Sequence, residues 1–409
     1  MNSFTTVRNA LPSAFAALAL LFSVGACTKK TDAPTGTTSG TSDSSSASTA
    51  ASGDEILIGE VGSLTGSEAT FGTSTRDGID LAIKQINEGG GIKGKKLRVI
   101  VLDDQGKPEE AAIAVTKLIT QDKVSAILGE VSSSRSLAMA PIAQSHKIPM
   151  ITPSSTNPKV TQIGDYIFRV CFIDPFQGSV MAKFARNSLK ANTAAILRDI
   201  KNDYSMGLAE FFNDTFTKMG GKVTVIQSYS AGDVDFKTQL SSIKALTGAD
   251  KPDVIFVPGY YTEVGLIARQ ARSMGFKVPL LGGDGWDSEK LTEIGENSLD
   301  GSYFSNHYSP DDKSPHVQKF IADYKTVFNR IPDGLAAMGY DAAMVLADAM
   351  KRAKTLASED VRAAIAETKN YPGVTGNITI NKDRDAEKPA VVLEVKDKRF
   401  IYKETINPS

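Results

Sequence analysis

The sequence predicts an α/β protein of two Rossmann-like lobes, each an open parallel sheet covered by helices. Three observations carry this. Short apolar runs alternate, from residue 55 onward, with segments whose apolar residues recur at helical spacing. The runs are nearly continuous rather than alternating polar and apolar, as in strands covered on both faces. The alternation then starts again after Asp174-Pro175, so two βαβ series imply two sheets with right-handed crossovers.

In chain order, residues 55–61 form the first strand, with Ile56, Leu57, Ile58 and Val61. Ile79, Ala82, Ile83 and Ile86 follow at i, i+3, i+4 and i+7, one face of a helix. The apolar run 97–102 is the second strand. Pro108 then sits in the first turn of a helix whose buried face carries Ala111, Val115, Leu118 and Ile119. A strand at 124–128, a helix at 134–145 and a strand at 148–151 complete the first series. The second series reads helix 176–189, strand 193–197, helix 203–219, strand 222–229, helix 235–246, strand 253–257 and helix 260–274. The last helix turns Val264, Ile267, Ala268 and Ala271 inward.

Ahead of this body lies a different kind of segment. Residues 1–26 contain one basic residue, Arg8, no acidic residue, and an apolar stretch over 14–24. The stretch is too short to span a bilayer and suits the apolar centre of a signal peptide. It ends in Val24-Gly25-Ala26-Cys27, which looks like the lipobox of bacterial lipoproteins. That likeness implies cleavage before Cys27, acylation of its thiol and anchoring of an exported protein to a membrane. Residues 27–53 are dominated by Ser, Thr, Gly, Ala and Asp with no large apolar side chain. Such a segment cannot offset its ordering entropy by burial and is expected to be a flexible tether, with a reach of roughly 25–30 Å.

Composition narrows the function. The chain has 409 residues and a net charge of −1, which gives no electrostatic footprint for nucleic acid. The basic run Lys93, Lys95, Lys96 and Arg98 reads as a solvated turn entering a strand. With Cys27 lipidated, Cys171, the second of two cysteines, has no partner, so no disulfide is expected. Cys171 itself reads as a small core residue.

Chemical motifs are missing. Gly89, Gly91 and Gly94 spell a dinucleotide-binding glycine pattern, but they follow a helix and precede a strand, the reverse of what that loop requires. His146, His307 and His316 have no metal-ligand spacing and are read as solvated or capping. Ser132, Ser133 and Ser134 have no base nearby in sequence. No cofactor and no enzymatic activity is expected.

The loops after the strands do carry hydrogen-bonding groups, where ligands of open α/β sheets bind. One strand runs into Gly129 to Ser134, another into Thr152 to Pro158, and a third, at Leu280-Leu281, into Gly282 to Asp287. Hydroxyls and N–H groups at a helix N-terminus suit a carboxylate; the same residues equally serve as caps and turn formers. Asp284 or Asp287 suits an ammonium, and either also suits an N-cap.

Several stretches together resemble one family. They are Asp77-Gly78-Ile79, Ile86-Asn87, Gly90-Gly91-Ile92-Lys93-Gly94, Asp103-Asp104, Pro153-Ser154-Ser155-Thr156-Asn157-Pro158, Asp174-Pro175-Phe176-Gln177-Gly178, Arg269-Gln270-Ala271-Arg272-Ser273-Met274-Gly275 and Gly339-Tyr340-Asp341-Ala342. From about Glu55 to Tyr402 the chain resembles the leucine/isoleucine/valine-binding proteins, substrate-binding components of branched-chain amino acid ABC transporters. The resemblance implies the type I periplasmic-binding-protein fold with a three-segment hinge near 172–174, 305–309 and 376–384. It divides the body into a first lobe, 54–173 plus 308–380, and a second, 174–307 plus 381–409. It also implies an amino acid ligand, a permease partner and a periplasmic or outer-surface location. By position, Ser133 would hold the ligand carboxylate, and Ser154, Ser155 and Thr156 would meet carboxylate and ammonium. Tyr260 and Asp284 would grip the amino group, while Phe71 and Tyr204 would line the cleft. Branched-chain binders commonly show Ala and Glu where Ser154 and Asp284 stand, so the ligand is left open between an amino acid and a related amide or organic acid. A sensing receptor would use the same clamp.

Overall fold

A computed structural model describes residues 55–408; the expected signal peptide, Cys27 and the tether lie outside the described residues. The chain starts with β1 (Glu55–Gly62), α1 (Ala69–Glu88), β2 (Lys96–Asp103), α2 (Pro108–Thr120), β3 (Ala126–Leu128), α3 (Ser133–Ser145), β4 (Met150–Thr152), α4 (Lys159–Gln162) and β5 (Ile167–Arg169). These strands form a five-stranded sheet, β2-β1-β3-β4-β5, parallel throughout. Separate apolar clusters cover its two faces, which is why its strands read as unbroken apolar runs.

The second series is α5 (Asp174–Lys183), β6 (Thr193–Asp199), α6 (Asp203–Lys218), β7 (Lys222–Tyr229), α7 (Lys237–Lys244), β8 (Val254–Phe256), α8 (Tyr261–Ser273), β9 (Leu280–Gly282), α9 (Glu289–Gly295) and β10 (Ser302–Asn306). Helix α5 begins at Asp174, two residues before the expected start, because Pro175 is tolerated in a first turn where no N–H is required. It passes into a single wider turn over Phe184–Ser188. The chain then returns to the first lobe as α10 (Pro315–Phe328), α11 (Gly334–Arg352), α12 (Ser358–Ala366), β11 (Tyr371–Gly373), β12 (Gly376–Ile380) and β13 (Ala386–Glu387). It ends with β14 (Ala390–Lys396) and β15 (Arg399–Ile406) in the second.

The second sheet, β15-β14-β10-β9-β8-β6-β7, is mixed rather than purely parallel. Strand β14 runs antiparallel to β10, and β15 antiparallel to β14. The hairpin between them pairs Lys396 with Arg399, so Asp397 and Lys398 form a two-residue turn. Both have positive φ, 50° and 59°, as the tight hairpin turn matching strand twist demands. Strands β11, β12 and β13 make a small antiparallel sheet. Its Ile378, Ile380 and Ala386 belong to the first lobe's apolar cluster. The chain passes from this small sheet to β14 of the seven-stranded sheet between Glu387 and Ala390.

Helices α1 and α11 pack closely in the first lobe. A Cβ at Gly78 would lie 1.9 Å from the Ala336 carbonyl oxygen, and one at Gly339 2.3 Å from that of Thr75. Only glycine permits this approach of backbones.

The parallel strand orders reverse direction between β1 and β3 in one sheet and between β6 and β8 in the other. Crevices form at the carboxyl ends of strands at such points. Here the two crevices face each other, joined by contacts from one lobe to the other. The Tyr260 hydroxyl donates to Ser132 Oγ (2.8 Å), Thr262 Oγ1 to the Ser67 carbonyl (2.7 Å), and the Gly334 N–H to Asp287 Oδ2 (2.7 Å). The lobes are closed on one another.

Candidate functional site

One small pocket lies between the lobes. It is lined by Phe71, Val131, Ser133, Ser154, Tyr204, Tyr260, Asp284, Gly285 and Leu335. Each polar lining residue comes from a loop or helix start just after a strand. Ser133 follows β3, Ser154 β4, Tyr204 β6, Tyr260 β8 and Asp284 β9.

The first lobe supplies neutral groups. No side chain caps α3, so its first-turn N–H groups lack the usual internal partner. Ser133, the first residue of that helix, places its hydroxyl as acceptor for the Asn157 N–H (3.1 Å). Behind α3, buried Arg135 is paired with Glu68 (2.6 Å), Glu130 (2.9 Å) and Asp104 (3.8 Å). These pairs hold the first turn of the helix in place.

The second lobe supplies one acidic group and two stacked aromatic rings. Asp284 Oδ1 accepts from Gln177 Nε2 (2.7 Å), while Oδ2 lies 2.9 Å from His307 Nε2 and accepts from Ser154 Oγ across the cleft (3.3 Å). Tyr204 and Tyr260 stack with centroids 5.4 Å apart, and Phe71 meets Tyr260 edge-on at 5.1 Å. The Tyr204 hydroxyl accepts the Gly285 N–H (3.1 Å). Burial raises both tyrosine hydroxyls well above their usual range, so they stay neutral hydrogen-bonding groups.

Groups around Asp284 are held neutral as well. Burial pushes Asp174 up to about 8, against the Thr156 hydroxyl and helped by the charge of Asp284. Burial lowers His307 to about 4 despite its bond to Asp284.

Of the expected site residues, Phe71, Ser133, Ser154, Tyr204, Tyr260 and Asp284 meet in this pocket, while Ser155 and Thr156 do not line it. The Ser155 hydroxyl bonds instead to the carbonyls of Glu130 (2.9 Å) and Val131 (3.0 Å) and to Ser136 (2.7 Å). The Thr156 hydroxyl is buried with no hydrogen-bond partner among the described residues. Asp287 takes neither of its two expected parts: Ser288 caps α9, and Asp287 binds the Gly334 N–H.

Histidine roles divide. His146 caps α3 through Nδ1 and the Ile142 carbonyl (2.9 Å). His307, expected to be solvated or capping, is buried against Asp284 and stacks on Phe172 at 3.7 Å. Lys93, expected to be solvated, reaches the carbonyls of Lys351 (3.2 Å) and Ala353 (2.9 Å) at the end of α11. Cys171 is fully buried and its thiol is pushed up to about 12, which removes it as a nucleophile. Among the described residues no cluster of His, Cys, Asp or Glu is arranged to hold a metal.

Gln177 and His307 were not anticipated as site residues. Gln177 did stand inside the Asp174-to-Gly178 stretch that carried the family resemblance, but nothing in sequence linked either residue to Asp284.

Comparison with known proteins places these features in context. The periplasmic binding protein family matches residues 55–399. A leucine-, isoleucine-, valine-, threonine- and alanine-binding protein of Pseudomonas aeruginosa is 33% identical over 339 residues, covering 81% of this chain and 87% of the relative. The crystal structure of the leucine-binding protein LivK of Thermotoga maritima superposes with a TM-score of 0.82 at 41% identity, covering 86% of this chain and 99% of that one. The branched-chain amino acid transporter substrate-binding protein LivJ of Streptococcus pneumoniae, solved in complex with isoleucine, gives a TM-score of 0.81 at 32% identity, covering 87% and 100%.

Proposed function

We propose, from the premise that this chain belongs to the periplasmic binding protein family, that it captures a small aliphatic amino acid by lobe closure and delivers it to an ABC transporter permease. One observation carries the reading. A single pocket brings an uncapped helix N-terminus with Ser133 and Ser154 from one lobe against Asp284 from the other, with Phe71, Val131 and Leu335 between. A zwitterion with an apolar side chain complements all three. Its carboxylate meets hydroxyls and helix N–H groups, its ammonium meets Asp284, and its side chain meets the apolar wall. The relatives named for leucine, isoleucine and valine support this ligand class.

In this reading the lobes, 54–173 plus 308–380 and 174–307 plus 381–409 with the last boundary moved to about Pro389, turn as bodies about three crossings. The ligand holds them shut only through its extra affinity for the closed form. Acyl chains on Cys27 keep the protein at the outer face of a membrane, and residues 27–53 act as its tether. A thermal-shift screen across amino acids, small amides and organic acids tests the ligand class, since binding stabilises by RT ln(1 + [L]/Kd). Leucine, isoleucine or valine is expected to give the largest shift, and a screen led by an amide or organic acid would reject the reading. Cys27→Ser is expected to release the protein from membranes into the soluble fraction; unchanged partitioning would reject the anchor.

A further inference from the structure

We propose that His307 is a positioning residue for ligand recognition: as a neutral imidazole it donates through Nε2–H to Asp284 and, with Gln177, aims that carboxylate at the ligand's ammonium. The proposal rests on the reading of Asp284 as the ammonium receptor.

The geometry is specific. His307 Nε2 lies 2.9 Å from Asp284 Oδ2, and Gln177 Nε2 lies 2.7 Å from Oδ1. The two donors approach the carboxylate on different oxygens. The donors and Asp284 belong to one lobe, from α5, the β9 loop and the end of β10, so the clamp exists before closure. The His307 side chain is only 1% exposed and its ring is stacked on Phe172, with centroids 3.7 Å apart and planes 27° apart. Phe172 and His307 each sit at a passage between lobes, so both hinge segments bear on the orientation of Asp284.

The charge state of His307 matters as much as its position. His307 Nδ1 is buried with no hydrogen-bond partner. An imidazolium would bury an unpaired, charged N–H there, which opposes protonation. Burial accordingly lowers the imidazole to about 4. A neutral donor orients Asp284 without cancelling its charge. A cation in the same place would compete with the ligand's ammonium for the carboxylate.

A double-mutant cycle on leucine binding, read by titration calorimetry, tests this. Losing one hydrogen bond to a charged group predicts that His307→Ala weakens leucine binding roughly ten- to hundredfold. His307→Gln, whose amide N–H reaches the position of Nε2, recovers most of that loss. In an Asp284→Asn background, His307→Ala has little further effect. Independent losses that multiply, or no recovery by glutamine, would assign His307 a packing role and overturn the proposal. If Asp284→Asn alone leaves leucine affinity intact, the reading of Asp284 fails instead. Imidazole nitrogen shifts in the ligand-free protein give a readout that needs no ligand. They are expected to report the Nε2–H neutral tautomer at neutral pH, with that signal moved by Asp284→Ala. An Nδ1–H tautomer or an imidazolium would overturn the proposal.

Discussion

The two lobes prepare their halves of the cleft by opposite electrostatic means. In the first lobe, charges are tied to one another. Arg135 binds Glu68, Glu130 and Asp104 at 2.6–3.8 Å, and the pocket receives hydroxyls and the N-terminus of α3. In the second lobe, the charge is at the site. Asp284 faces the pocket, and its neighbours Gln177, His307, Tyr204 and Asp174 are amide, neutral imidazole, phenol and buried carboxyl. The difference teaches how one small pocket reads both ends of a zwitterion. In the proposed reading, dipoles would receive the anion without a cation that would repel the ammonium, and the Asp284 carboxylate would receive the cation.

The comparison can be broken from either side. The largest expected effect is on the first lobe. Arg135→Leu leaves buried carboxylates uncompensated, and breaking such a pair costs about 3–5 kcal/mol. Denaturant unfolding should show that loss, and a change under 1 kcal/mol would mean that the cluster contributes little to the lobe. Next comes Asp284→Ala, which removes the second lobe's charge. Leucine affinity should fall by about two orders of magnitude or more while the thermal unfolding curve keeps its cooperative shape. Undiminished binding in calorimetry would remove Asp284 from the site.

A pH-dependent effect concerns the neutral surroundings of Asp284. Asp174 has a folded-state value raised to about 8 from 3.8. The folded state therefore holds a proton that the unfolded chain has released, and stability contributed here falls as pH rises from about 4 to 8. Asp174→Asn should flatten that slope and gain stability relative to the parent protein near pH 8. An unchanged slope in unfolding measurements across this range would show that Asp174 titrates normally.

Much of this arrangement was legible in the sequence, for a physical reason. Strands buried on both faces must be apolar throughout, so β1 and β6 announce themselves, and loops after strands are where such sheets bind ligands. Phe71, Ser133, Tyr260 and Asp284 follow from that rule together with the family resemblance. A serine near a site reads the same in sequence whether its hydroxyl faces a ligand or, like that of Ser155, the carbonyls of Glu130 and Val131. His307 and Gln177 were hidden by distance along the chain, 23 and 107 residues from Asp284. No local pattern connects them. The β14–β15 hairpin escaped because Asp397-Lys398 is not a usual pair for a turn that needs positive φ at both residues.

The central claim is that each lobe recognises one end of a zwitterion. It is tested most directly by calorimetric titration of the protein with L-leucine and its two one-ended analogues, 3-methylbutylamine, which lacks the carboxylate, and 4-methylpentanoate, which lacks the ammonium. Leucine should bind at least about a hundredfold more tightly than either analogue, since each leaves buried partners unpaired in one lobe. Binding of either analogue as tight as that of leucine would contradict the account.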